Sequence, residues 1–262
     1  MCIENLIIQQ VTDFWQQMRV PAVQAKAKET GQPVNAIAME AEIQQGKNIV
    51  DAAEATRDTL DTLVLSVLSD SRKWSKGRIT WNYHFEGKWK IVEYLEKTYP
   101  ELYKKTSLFQ PGFFLTNLEG QIAPRKVSDE AYVIACPLDG NKKVPMYHPR
   151  HDTGSLVKAL IKSSPGKNLL GYGSEITFGE IAEIWSKKLG KDVKYQRSTV
   201  DDMDKMIPGG VGKELGEMFE YFSDPGYFGG EEAIKELGAI TPEDVGVSGL
   251  SDVKEFLKGL KL

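Results

Sequence analysis

Apolar and polar positions change period several times along the chain, and the changes predict alternating strands and helices. NLIIQQV (5–11) is a short apolar run compatible with a strand, though its length leaves strand and helix open. TDFWQQMRVPAVQAKAKETGQP (12–33) is polar, carries two prolines and reads as an irregular connection. VNAIAMEAEIQQGKNIVDAAEAT (34–56) is rich in Ala, Glu and Gln, and its apolar positions Ile37, Ala41, Ala52 and Ala55 fit a long helix better than a strand. LDTLVLSVL (60–68) reads as a buried strand, followed by a polar loop over 69–82. The next helix runs from about 84 to 98, with Ile91, Val92 and Leu95 in one stripe and Pro100 as its stop. TSLFQPGFFLTNL (106–118) predicts a strand ending near Pro111-Gly112, then a turn or short helix.

The second half is less regular. AYVIACPL (131–138) and DVKYQR (192–197) read as strands, and DTGSLVKALIKS (152–163) as a helix capped by Asp152. TFGEIAEIWSKKLG (177–190) contains a capping box, Thr177 with Glu180, and Gly190 ends the helix. Residues 199–262 are mostly helical, closing with SDVKEFLKGL (251–260) behind a Ser251 or Asp252 cap. No repeat or low-complexity segment interrupts the chain. Strand and helix in this alternation mean βαβ units, a parallel sheet and helices on both faces. The fold class is α/β.

Composition narrows the function classes. The 262 residues are 41% hydrophobic and 27% charged, with a net charge of −4 and no basic run. Direct binding to nucleic acid is not expected, because phosphate neutralisation needs clustered Lys and Arg. No apolar stretch reaches the roughly 18 residues of a membrane span, and MCIENLIIQQ has neither a basic leader nor a small-residue cleavage site. Cys2 and Cys136 lie far apart and form no metal-type pair, so both read as free thiols of a reducing compartment. The expected location is the cytoplasm.

Three stretches resemble reactive motifs and fail on detail. PGGVGKELG (208–216) has Ile207 where a phosphate loop needs its first glycine, and Glu214 where it needs Ser or Thr. It reads as a helix-entry turn. YGSEITFGE has the wrong glycine spacing for a dinucleotide turn. YHPRHD (147–152) holds His148, His151 and Asp152, but Pro149 breaks any helix between the histidines, and no metal site is expected there. ITWNYHFEGKWKIVEYL (79–95) differs: His84 and Lys88 are four apart, on one helix face. Such a lysine can hydrogen-bond ribose hydroxyls, and a histidine can relay a proton near neutral pH. Polar residues in a helix's first turns are ordinarily just solvated.

Six stretches in one order change that balance: VTDFW (11–15), QQGKNIVDAA (44–53), LVLS (63–66), HFEGKWKIVEYL (84–95), PGFFLTNL (111–118) and DTG (152–154) before a helix. Together the chain resembles the NmrA-like family, an atypical branch of the short-chain dehydrogenases, over most of residues 5–190. The resemblance implies a Rossmann sheet that binds NADP(H), here its remainder over 1–130. It also implies a smaller α+β, mostly helical region over 131–262 for substrate or partner, with segments crossing between the two. Some members resemble redox-sensing regulators that bind proteins; others are reductases, including tailoring enzymes of fungal specialised metabolism. Lys88 falls on the family's lysine, which would hold the nicotinamide ribose, and HFEGK carries His84 in place of the dehydrogenase tyrosine. Catalysis would fall to Lys88 and His84. The same resemblance puts Thr12, Trp15, Gln16, Ser66, Phe113, Phe114 and Asn117 beside the cofactor. Partners would be a small-molecule substrate or a regulatory protein, with a nuclear location in the second case.

One expected piece is missing. A Rossmann domain opens with a strand, a glycine-rich turn and a helix whose amides hold pyrophosphate. Here VTDFW, which would follow the fourth strand, begins at residue 11, and no glycine precedes Gly31. The expectation is an incomplete gene model, a splice form or a truncated descendant of a longer NADP-binding protein. Its fourth strand would then be a bare sheet edge open to association.

Overall fold

The computed structural model describes residues 6–120 and 122–260. In its amino-terminal half, β1 (Leu6–Gln10) leads into the one-turn α1 (Phe14–Gln17), then α2 (Pro21–Thr30) and the long α3 (Val34–Ala55). β2 (Leu60–Ser66) precedes α4 (Ser71–Trp74), α5 (Tyr83–Thr98) and α6 (Pro100–Lys104), and β3 (Thr106–Pro111) ends beside the short β4 (Phe113–Phe114). The carboxyl-terminal half carries β5 (Arg125–Lys126), β6 (Ala131–Cys136), β7 (Lys143–Tyr147), α7 (Pro149–Lys162), β8 (Asn168–Gly171) and β9 (Ser174–Thr177). It continues with α8 (Phe178–Leu189), β10 (Asp192–Arg197), α9 (Val200–Met206), α10 (Val211–Ser223), α11 (Gly230–Glu236), β11 (Ala239–Ile240) and α12 (Val253–Gly259).

The main sheet has the order β1-β2-β3-β8-β11, and every pairing in it is parallel. Strand side chains alternate between faces, and here the alternation sorts the helices. Leu63 and Leu65 of β2 join Val50 and Ala53 of α3 and Ile91, Val92 and Leu95 of α5 in one cluster. Val64 turns the other way, to Phe109 and to Leu156, Val157 and Leu160 of α7. Helices therefore cover both faces of a Rossmann-like α/β sheet. β8 and β11, from beyond residue 130, belong to this sheet. Among the described residues β1 pairs only with β2, so its other side is a sheet edge.

The mostly helical carboxyl-terminal region adds two small sheets, β10-β6-β5 and β4-β7-β9. They share a core that includes Ile134, Val144, Ile176, Phe178, Trp185, Phe219 and Phe222. Cys136 lies buried there as a free thiol, pushed up to about 12 by that burial; Cys2 lies outside the described residues. No described helix is long and apolar enough to cross a membrane.

Several elements differ from the expectations. Residues 12–33 contain two helices, α1 and α2, where an irregular connection is predicted, because Pro21 occupies the first turn of α2 and Pro33 caps α3, where a proline's missing N–H costs nothing. Pro149 likewise starts α7 instead of breaking it, so the helix opens three residues before Asp152 and His148 is its cap. The loop 69–82 contains α4, capped by Asp70, whose carboxylate accepts the Lys73 amide at 2.9 Å. Pro100 ends α5 but opens α6 at once. β7, β8, β9 and β11 have four or five residues at most, too short for a periodicity to register.

Candidate active site

Ligands of open α/β sheets gather at the carboxyl ends of the strands. The segment after β1 brings Thr12, Phe14 and Trp15 to that rim, where they meet the first turns of α5. α5 itself lies close against α3 because two glycines leave room. A Cβ at Gly46 would come within 2.2 Å of Ile91 Cδ1, and one at Gly87 within 3.1 Å of Glu42 Oε2. The close crossing carries the buried Glu42 to Lys88.

The Lys88 ammonium donates to the Thr12 carbonyl at 2.8 Å, to Thr12 Oγ1 at 3.1 Å and to Glu42 Oε1 at 2.6 Å. Thr12 Oγ1 in turn donates to Glu42 Oε1 at 2.7 Å. An ammonium has three N–H groups, so Lys88 is saturated within the protein. Its side chain is 13% exposed and that of Glu42 fully buried, with Glu42 Oε2 left unpartnered. The pair is therefore a partly sealed ion pair, not the solvated side chain that ordinary helix surfaces carry.

His84 is also buried. Its Nδ1 lies 2.6 Å from Glu214 Oε1, and its backbone N–H donates to the same oxygen at 2.9 Å. Asn35 Nδ2 donates to Glu214 Oε2 at 3.1 Å. The imidazole ring is flanked by Trp15 at 5.2 Å, Phe14 at 5.8 Å and Phe85 at 5.0 Å between centroids. α10 also holds the chain just ahead of α5, since Glu217 Oε2 accepts the amides of Thr80 at 2.5 Å and Trp81 at 2.7 Å. Two acidic residues one turn apart on α10 thus fix the entry of α5.

The remaining expected site residues take no part in this cluster's hydrogen bonds. Trp15 is 36% exposed and covers the imidazole. Gln16 is exposed, its amide donating to the α1 cap Asp13 at 3.0 Å. Ser66 is half-buried at the end of β2. Phe113 turns into the carboxyl-terminal core against Phe219 and Phe222, and connects back to His84 through Phe85. Phe114 is 40% exposed against Tyr147, and Asn117 is half-buried in a 3₁₀ turn, its carbonyl accepting from Gly120 and Ile122. The rim beyond β2 and β3 is filled by tyrosines. Tyr221 hydrogen-bonds Ser69 at 2.8 Å, and Tyr227 donates to the Pro111 carbonyl at 3.0 Å. Burial holds both phenols well above their ordinary range.

Glu42, Glu214 and Asn35 escape the sequence reading. A signal for Glu42 exists: it interrupts the buried α3 stripe of Ala38, Gly46, Val50 and Ala53. Glu214 stands beside the buried Leu215 in the segment read above as a helix-entry turn, with the buried Met218 one turn further on. That turn does start α10, and Gly210 at φ +85° has its missing Cβ within 2.7 Å of Asn35 Oδ1. Among the described residues, no group of His, Cys, Asp and Glu could hold a metal ion.

A nicotinamide dinucleotide would need two ends held. Among the described residues, no strand of the main sheet passes into a helix through a glycine turn, and the helix after β1 is capped by its own Asp13 carboxylate. The pyrophosphate end does not fit these residues. The nicotinamide end has its polar groups, Lys88 and His84, beside Thr12 and Trp15.

Comparisons with known proteins agree with this architecture. No curated protein matches the chain in sequence. Among solved structures it is similar to NmrA, a negative transcriptional regulator, at 18% identity and a TM-score of 0.66, covering 84% of this chain and 70% of that one. NmrA in complex with NADP gives 17% identity and a TM-score of 0.62, with 84% and 69% covered. An NADPH-dependent quinone oxidoreductase from Escherichia coli, complexed with NADPH, gives 16% and 0.57, with 82% and 70% covered. The structural likeness at these TM-scores shows the shared fold alone. The model of the NmrA-like family matches residues 21–257, nearly the whole chain, and the protein belongs to that family.

Proposed function

We propose that this protein is an NAD(P)-linked oxidoreductase of the NmrA-like family, acting on a small carbonyl, imine, quinone or conjugated alkene. The observation that carries the reading is the pairing of His84 and Lys88 one helical turn apart, both largely buried, each on a carboxylate, at the carboxyl rim of a parallel sheet. NAD(P)H, when bound, supplies a hydride. Lys88 would exchange one of its three acceptors for a ribose hydroxyl and so orient the coenzyme. His84 would carry the proton, and Trp15 would pack against the imidazole ring. NADP(H) is the preferred form by family resemblance, and a role in fungal tailoring chemistry belongs to the same proposal.

A second reading has its own support. With Lys88 neutralised by Glu42 and no pyrophosphate cradle among the described residues, the fold also suits a regulator that binds another protein. Calorimetric titration with NADP⁺ and NADPH tests coenzyme binding, and NADPH oxidation separates the two, since NmrA, a regulator, itself forms a complex with NADP. The oxidoreductase reading expects weak, saturable binding, since each 1.4 kcal/mol of lost contact weakens it about tenfold, and NADPH oxidation with a quinone or carbonyl acceptor. Absence of both leaves the regulator.

A further inference from the structure

The second carboxylate of the site has no role in the reading above. Glu214 is fully buried on α10, and both its oxygens are partnered: Oε1 by the amide and Nδ1 of His84, Oε2 by Asn35. An ionised carboxylate only accepts hydrogen bonds. With Glu214 as the acceptor, the 2.6 Å contact places a hydrogen on His84 Nδ1. In the neutral imidazole the other nitrogen, Nε2, is then the bare one. Among the described residues nothing hydrogen-bonds Nε2, and it is not one of the sealed, unpartnered polar atoms. One nitrogen is held and the other is open beside Trp15.

We infer that Glu214 is a positioning residue that fixes His84 as the Nδ1–H tautomer and makes Nε2 the atom that exchanges protons with substrate; this rests on the reading of His84 as the proton carrier. Asn35 holds the far oxygen, so the carboxylate cannot rotate away. Gly210 supports Asn35, because a side chain there would collide with its amide oxygen. The unit is assembled from three helices, α3, α5 and α10, and spans both halves of the chain. In a carbonyl reduction, for which NAD(P)H, when bound, would supply the hydride to carbon, the C=O π pair would pass to oxygen and imidazolium would give it the Nε2 proton, breaking N–H and forming O–H. It returns to neutral with Nδ1–H still on Glu214, and solvent then reprotonates Nε2. A carboxylate that sets tautomer and orientation without itself taking a proton is a known device of imidazole catalysis.

Long-range ¹H–¹⁵N spectra of the three histidines test this, with His84 assigned by its loss in His84→Asn. They are recorded well above the ordinary imidazole range, about 6.5. The expected parent signal is a protonated Nδ1 and a bare Nε2. Glu214→Met, checked for folding by circular dichroism, should yield a mixture of tautomers. A parent spectrum with the hydrogen on Nε2 overturns the inference, even if Glu214→Met does not fold. So does a folded Glu214→Met with an unchanged tautomer. Turnover tests the underlying reading separately. With NADPH and a quinone, His84→Ala should lose about 10²-fold in kcat, the usual scale for a lost acid–base group. If His84→Ala turns over as the parent does while the spectra behave as expected, the catalytic role of His84 and its proton exchange with substrate fail together. Only the tautomer lock then stands.

Discussion

The centre of this protein is two cationic or ionisable side chains, each matched to a buried carboxylate. A buried ion pair is poor evidence of net stability, but removing one partner strands the other charge in a low dielectric, at a cost of about 3–5 kcal/mol. Lys88→Ala strands Glu42, whose second oxygen already lacks a partner. Urea unfolding should show a loss of about 3 kcal/mol. The double variant Glu42→Leu with Lys88→Met, which removes both charges and keeps the volume, should recover most of it. Additive losses in the double variant would mean that the two groups are not coupled. His84 and Lys88 are legible in the sequence because four residues on a helix always share a face. Their partners are not, because contacts 130 and 46 residues away leave no local trace.

At the scale of elements, the α3–α5 contact decides whether these groups meet. Glycine in a helix interior ordinarily costs up to about 1 kcal/mol relative to alanine. At Gly46 the sign should reverse, because a Cβ would lie within 2.2, 2.4 and 2.8 Å of three Ile91 side-chain atoms. Overpacking of that kind costs about 1–3 kcal/mol, which outweighs the propensity gain. Gly46→Ala should therefore lower the denaturant midpoint, and Ile91→Val in the same chain should recover part of the loss. A stabilised Gly46→Ala would show that the helices move apart freely. The long helix over 34–56 is plain from its Ala-rich pattern, and so is the capping box of α8, because propensity and capping are local. The short helices of 12–33 are obscured by two prolines that mark helix starts as readily as breaks. The same ambiguity hides the first turn of α7.

At the scale of the molecule, the main sheet is finished by strands from the far end of the chain, and a buried aspartate holds that end in place. Asp152 Oδ2 accepts the His148 amide at 2.9 Å, while Oδ1 accepts the amide and hydroxyl of Ser251 at 3.0 and 2.9 Å. Ser251 Oγ and Asp152 both contact the same nitrogen, Nδ1 of His151, and Ser251 also donates directly to Asp152, so these three residues form a clasp and not a serine–histidine–aspartate relay. Asp152→Ala should cost about 1–3 kcal/mol for its unpaired donors. Amide exchange should rise first in residues 251–259, measured by mass spectrometry. A rise spread evenly over the chain would show that the clasp is not local. The sequence motif here is visible as a cluster of His and Asp, but its partner is 99 residues away, and only the fold shows that it ties down α12.

The sequence by itself determines the alternation of strand and helix, the family resemblance, and the presence of His84 and Lys88 on one face of α5, because all three depend on short-range spacing. The tertiary structure decides what those side chains are. Close crossing of glycine-bearing helices and the return of α10 to the entry of α5 deliver a carboxylate to each, and so fix their hydrogen bonding in a way that no local pattern encodes.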